Sequence, residues 1–208
     1  MIKVGLTGNV CSGYEKVGLY FKSLGVPVFD ADIALKFLIN YREDIIRNIK
    51  IQFGEGIYEK GAINPDKFNT TEKFDRLLSV AELELMRLYE SWRFYNKDAS
   101  YTIFKSSILF ERKLNDSMNY VISTFRPRDE RALSLTKLGM KMAEAYDVVE
   151  SEMDELLKNQ RSEWIIHNYS DSLSLITQVK QIHEKIESKS IKRLLEKSDF
   201  GTVKNIFS

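Results

Sequence analysis

One cysteine, three prolines and two histidines are all that the 208 residues contain of those types. A single thiol, Cys11, rules out an internal disulfide and suits a reducing compartment. His167 and His183 stand apart from any Cys or carboxylate cluster at ligand spacing, so no metal site is expected. Charge of one sign is lacking too: 31 Lys and Arg face 30 Asp and Glu, for a formal net charge of +1. A protein that grips a nucleic-acid backbone needs an electrostatic footprint, and no basic tract supplies one. No apolar run reaches the ~18 residues of a membrane-spanning helix, and the first residues read as a strand rather than a leader. The expectation is a soluble, cytoplasmic protein with neither nucleic-acid nor membrane partners. What is present, 43% hydrophobic and 12% aromatic residues, suffices for a real core. The length suits one domain with a lid or appendage.

The first fifteen residues organise the rest. Ile2, Val4 and Leu6 alternate as a short buried strand, Gly8 to Gly13 form a glycine-bounded loop, and Glu15 to Leu24 can run as a helix. A phosphate-binding loop needs this context, because backbone N–H groups and a helix N-terminus must converge on phosphate oxygens. Gly8, four residues and Gly13 keep the spacing, with Ser12 inside it. Lys and then Ser or Thr should follow, to hold the β- and γ-phosphates and Mg²⁺. Tyr14 and Glu15 stand there instead. An acid at a helix start suits the helix dipole but repels a phosphate in the same cradle. Cys11 reads as a small residue filling the turn.

Further along, Gly25–Phe29 reads as a second strand ending in Asp30-Ala31-Asp32, which makes a βαβ unit and predicts a parallel sheet. Carboxylates at such a strand end face the crevice where ligands bind, or cap the next helix. Residues 33–51 read as two helices broken near Asn40 and Tyr41, and 53–61, with three glycines, as a loop or short hairpin. From Thr70, with Thr71 as cap, a long helix carries the stripe Phe74, Leu77, Leu78, Ala81, Leu85, Leu88 and Trp92. Tyr101–Phe104, Tyr120–Phe125 and Trp164–His167 complete the strands. Pro127 opens a helix that Gly139 ends, 140–158 reads as one further helix, and Leu173 to Ile186 marks an amphipathic closing helix.

Taken in order, Gly5-Leu-Thr-Gly8, Leu24–Asp32, Phe53-Gly54 with Gly61–Asn64, Leu109-Phe-Glu111 and Trp164–Asn168 resemble the dephospho-coenzyme A kinase family, over about residues 1–187. The resemblance implies an α/β fold of P-loop kinase type, with a five-stranded parallel sheet flanked by helices. It also implies a helical substrate region at about 33–95 and a lid at about 127–160, leaving 188–208 as a tail. Asp32 best matches the family's catalytic carboxylate, and Glu111 survives with it. Other positions depart from the pattern. The strand before Leu109-Phe-Glu111, where the family offers an acid, brings Lys105, Ser106 and Ser107. Val148 and Glu152 stand where the family's lid carries Arg and Gln. Arg126, Arg128 and Arg131 are the nearby cations.

With the phosphate-handling groups exchanged, these residues lead to the expectation of a catalytically dead, kinase-like protein. It would bind no cofactor and ATP or coenzyme A derivatives weakly or not at all. Its role would be to assemble protein partners, with a phage tail baseplate hub suggested by a Lys-, Asn-, Ile- and Tyr-rich composition. The tail residues Ile191, Leu194, Leu195, Phe200, Val203, Ile206 and Phe207 would form the partner-binding segment. The alternatives are an active dephospho-coenzyme A or nucleoside monophosphate kinase with a rearranged phosphate site, and a sensor that binds without turnover.

Overall fold

Every strand of the main sheet runs the same way, so one edge gathers all the carboxyl ends. The computed structural model describes residues 1–67, 70–169 and 172–204, and side chains within those ranges except at 71 and 197–204. The sheet comprises β1 (Ile2–Gly8), β2 (Val28–Asp30), β5 (Tyr101–Lys105), β6 (Tyr120–Phe125) and β7 (Trp164–His167), ordered β2-β5-β1-β6-β7. β1 is central: Leu6 lies beside Lys105 on one side and Ile122 on the other, and Gly8 beside Thr124. β7 follows in the same direction, with Phe125 beside His167. Helices cover both faces, which is why the strands read as near-continuous apolar runs. This is the expected five-stranded parallel sheet.

The chain divides into two units, one of Met1–Phe29 with Asn96 onward, the other of Asp30–Tyr95. In the first, Val4, Leu6, Ile103, Ile122 and Ile166 of the strands meet Val17 and Phe21 of α1 (Tyr14–Ser23). Leu175, Val179, Ile182 and Ile186 of α8 (Ser172–Lys204) join the same core, whereas Leu173 is exposed. α8 runs unbroken through residue 188, so no boundary separates a tail there. Ser190 is buried on it, but Ile191, Leu194 and Leu195 are exposed. The side chains of Phe200 and Val203 and all of Ile206 and Phe207 lie outside the described residues.

The second unit holds α2 (Ala31–Tyr41), α3 (Glu43–Phe53) and α4 (Thr71–Tyr95), with a two-stranded hairpin of β3 (Tyr58–Glu59) and β4 (Ala62–Ile63). α2 and α3 both pack on α4, whose buried stripe is Leu77, Leu78, Ala81, Leu85 and Tyr89. Thr70, one residue before the expected cap, accepts the Lys73 N–H. The Tyr58 hydroxyl donates to the Ile39 carbonyl at 2.6 Å, and burial pushes this phenol up to about 12.

The lid region differs from its sequence reading. After α5 (Arg128–Lys137), the single helix expected over 140–158 is two, α6 (Met142–Ser151) and α7 (Glu155–Gln160). Asp154 causes the break: its carboxylate accepts the N–H groups of Leu156 and Leu157, capping α7 anew. Leu156 and Leu157 are consequently exposed rather than in line with the buried Val149.

Candidate functional site

The loop between β1 and α1 is built by close approach. Cys11 has φ 57° and Gly13 φ 95°, both left-handed, and the Ser12 N–H donates to the Asn9 carbonyl at 3.0 Å. A Cβ on Gly8 would stand 2.3 Å from Ser12 Oγ. One on Gly13 would stand 2.2 Å from Asn168 Nδ2, so glycine is required there by both conformation and space. Asn168, just past β7, holds the loop from the far side of the sheet: Nδ2 donates to the Ser12 carbonyl at 2.7 Å. Gly13 caps α1 without a side-chain hydrogen bond.

Polar side chains line this turn. Among the described residues, Thr7 Oγ1, Asn9 Oδ1, Ser12 Oγ and Thr124 Oγ1 are buried without a hydrogen-bond partner. Buried hydroxyls are normally satisfied, and three of them around one phosphate-type loop suit an anion with many acceptor oxygens. Lys105, the last residue of β5 and 4% exposed, reaches the same turn. Its ammonium pairs with the Glu15 carboxylate and lies 5.5 Å from the centre of the Tyr14 ring. Gly18 makes room for its stem, since a Cβ there would come 3.2 Å from Lys105 Cδ.

The lid helices hold the other flank. Glu152 accepts the Val10 N–H at 2.7 Å and, through its second oxygen, Arg131 Nη1 at 2.7 Å. Arg131 is fully buried, and Nη2 also donates to Glu155 at 3.1 Å. Asn9 Nδ2 donates to the Met153 carbonyl at 2.7 Å and Arg126 Nη1 to the Cys11 carbonyl at 3.4 Å. Burial pushes the Cys11 thiol up, against the pull of Arg126 and Arg131, which suits a turn-filling residue better than a nucleophile.

Gly8, Ser12, Gly13, Tyr14 and Glu15 lie together from the end of β1 to the first turn of α1. Glu111 is tied to the buried Lys158 at 2.7 Å, and Lys158 Nζ also donates to the Ser107 carbonyl at 3.0 Å, which is a structural bridge. Asp30 caps α2 through the Ile33 N–H, and Asp32 lies half-buried in that helix's first turn. Val148 packs beside Val149 in the lid core. Of the nearby cations, Arg128 pairs with Glu150, and Lys16 donates to Ser172 at 2.7 Å.

A family model described as dephospho-CoA kinase matches residues 2–174. The chain belongs to the dephospho-CoA kinase family. A dephospho-CoA kinase of Fusobacterium nucleatum is 27% identical over 192 residues, covering 88% of this chain and 97% of that one. Among solved structures, a Thermus thermophilus protein matches with TM-score 0.75 at 21% identity, covering 88% of this chain and 96% of its own. A dephospho-CoA kinase from Campylobacter jejuni gives 0.63 at 15%, covering 90% and 98%; both structures share the fold.

Family membership corrects the expectation of a catalytically dead assembly factor. The matching family and the named relatives are kinases, and none of these matches is to an assembly factor or a phage tail protein. The physical reason lies at the loop. Exchange of Lys and Ser or Thr for Tyr14 and Glu15 looked like loss of the cation, but β5 delivers Lys105 to the same turn. The sequence reading named Lys105, Arg131, Glu152 and Asn168 but did not bring them to the loop, and it did not single out Thr7 and Thr124. Lys105 had a signal: a lone charge closing the apolar run Tyr101–Phe104 at the carboxyl end of a strand.

Proposed function

We propose that this protein transfers the γ-phosphoryl group of ATP to dephospho-coenzyme A. The match of the dephospho-CoA kinase model from residue 2 to 174 carries this reading. The loop supports it, with left-handed Cys11 and Gly13, an α1 N-terminus that no side chain caps, and buried hydroxyls at Thr7, Ser12 and Thr124. Phosphoryl transfer asks little covalent chemistry of a protein and relies on positioning and on neutralising developing charge. Here the loop and the α1 dipole would seat the phosphates, while Asn168 and Glu152 hold the loop's shape.

Among the described residues no three His, Cys, Asp or Glu side chains gather to hold a metal ion alone. Mg²⁺ needs only one or two carboxylates besides phosphate oxygens and water, and Glu15, in the first turn of α1, fits that demand. Bound there with ATP, it would supply neutralisation of the β- and γ-phosphate oxygens. The test is transfer of labelled γ-phosphate from ATP to dephospho-coenzyme A by purified protein, with adenosine and nucleoside monophosphates as competing acceptors. Labelled coenzyme A as the main product is expected. ATP turnover with no labelled coenzyme A would overturn the choice of acceptor.

A further inference from the structure

We infer that Lys105 is the phosphate-binding cation of this protein, brought in from the sheet instead of the loop, and that it and Glu15 form an exchanged pair. The inference rests on the kinase reading above and adds to it the residue that meets the polyphosphate. In the family's pattern the loop carries the cation and the strand before Leu109-Phe-Glu111 carries an acid. In this chain the acid stands on the α1 side, at Glu15, and the cation stands on the strand, at Lys105. One positive and one negative group are present either way, so the local charge is unchanged and only the carriers differ.

Three observations support the exchange. Lys105 is 4% exposed and its ammonium is directed to the loop end of α1, where it meets both the Glu15 carboxylate and the face of Tyr14. Residue 18 on the facing turn of α1 is glycine, and the lysine stem runs where a larger side chain would press on it. The turn that the ammonium reaches has glycine at the helix N-cap and three buried hydroxyls without partners, at Thr7, Ser12 and Thr124. Coulomb attraction to a triphosphate exceeds that to a single carboxylate at similar range. An ammonium also has three rotatable donors on a four-carbon stem, so it can engage a phosphate oxygen while remaining beside Glu15. Tyr14, where the loop's own lysine would be, supplies a ring face that keeps the ammonium in place.

The remaining cations near the loop are committed differently. Arg131 is held by Glu152 and Glu155, Arg128 by Glu150 and Arg126 by Glu130, all from the lid helices. Lys158 is committed to Glu111.

The experiment measures ATP affinity by calorimetry, with and without Mg²⁺, and repeats it with inorganic tripolyphosphate to isolate phosphate recognition from adenine. The double variant Glu15→Gln, Lys105→Met removes both charges and is checked for folding by circular dichroism. It is expected to bind both probes about 10²-fold more weakly. The triple variant Tyr14→Lys, Glu15→Ser, Lys105→Asp returns the cation to the loop and is expected to bind ATP within about tenfold of wild type. Affinity in the double variant within about threefold of wild type would overturn the inference. So would failure of the triple variant to bind while the double variant binds. If ATP binding depends on Lys105 but dephospho-coenzyme A is not phosphorylated, the acceptor is wrong and the exchanged pair stands. If dephospho-coenzyme A is phosphorylated undiminished without Lys105, the function stands and the exchanged pair falls.

Discussion

The two flanks of the loop use charge in opposite ways. On the lid side, Arg131 is fully buried and its two terminal nitrogens donate to Glu152 and Glu155, with only Nε left without a partner, and Glu152 in turn secures the Val10 N–H. On the α1 side, Lys105 and Glu15 lie beside buried hydroxyls without partners and a helix start that no side chain caps. Buried ion pairs seldom add net stability, but breaking one is costly because it strands a charge. The first flank is therefore a clamp, whose charges face each other. The second is a receptor, whose polar groups face the turn where an anion can sit. A count of charges around the loop would not distinguish them; their partners do.

The sharpest break of the comparison is on the clamp. Arg131→Met strands two carboxylates and should cost about 3–5 kcal/mol of stability, read by urea unfolding. Lys105→Met leaves behind Glu15, which is more than half exposed and can be hydrated, so it should cost less than Arg131→Met in the same measurement. Equal costs would erase the distinction between the flanks.

The next test moves the loop without touching either flank's charge. Gly13→Ala places a Cβ against Asn168 and at a φ that alanine disfavours. It should lower kcat/KM by roughly 10²-fold through a displacement on the order of 1 Å, with a stability loss of about 1–3 kcal/mol. Unchanged kinetics would show that loop shape is not limiting. A smaller step is Asn168→Ala, which removes only the hydrogen bond to the Ser12 carbonyl. About 1 kcal/mol is expected in thermal unfolding, with a rise in the KM for ATP and little change in the temperature dependence of turnover.

The smallest effect lies in the other unit and serves as the control for both flanks. Burial raises the Tyr58 phenol to about 12, against about 10 in an unfolded chain. The folded state thus keeps a proton that the unfolded state gives up. Its contribution is intact below pH about 10 and is lost as pH rises toward about 12. Tyr58→Phe should flatten that part of the stability profile and leave ATP binding unaltered. A change in ATP affinity would mean the substitution acts beyond its own surroundings.

The same contrast between flanks explains how much could be read from the chain. The fold was legible almost entirely, because Ile2, Val4 and Leu6, the Gly8–Gly13 spacing and the later β-branched runs each fix a local structure. The break at Asp154 was not, since a capping carboxylate competes with an apolar pattern that reads through it. The strand–loop–helix shape at Gly8–Gly13 was legible from spacing alone. The charge balance there was not, because Lys105 lies ninety positions from Glu15 and meets it only once β5 pairs with β1. Reading Tyr14 and Glu15 along the chain shows a missing lysine, whereas reading across the sheet shows where a lysine came in. Arg131 could be named only as a nearby cation for the same reason: the tertiary fold alone brings Glu152 and Glu155 onto it.

The most direct measurement is the rate of γ-phosphate transfer from ATP to dephospho-coenzyme A in wild-type protein and in the Glu15→Gln, Lys105→Met variant, side by side with ATP affinity. The account predicts turnover in the wild type and a loss of about 10²-fold or more in both quantities in the variant. Turnover and affinity that survive the loss of both charges, or a wild-type protein that neither binds ATP nor phosphorylates any acceptor, would contradict it.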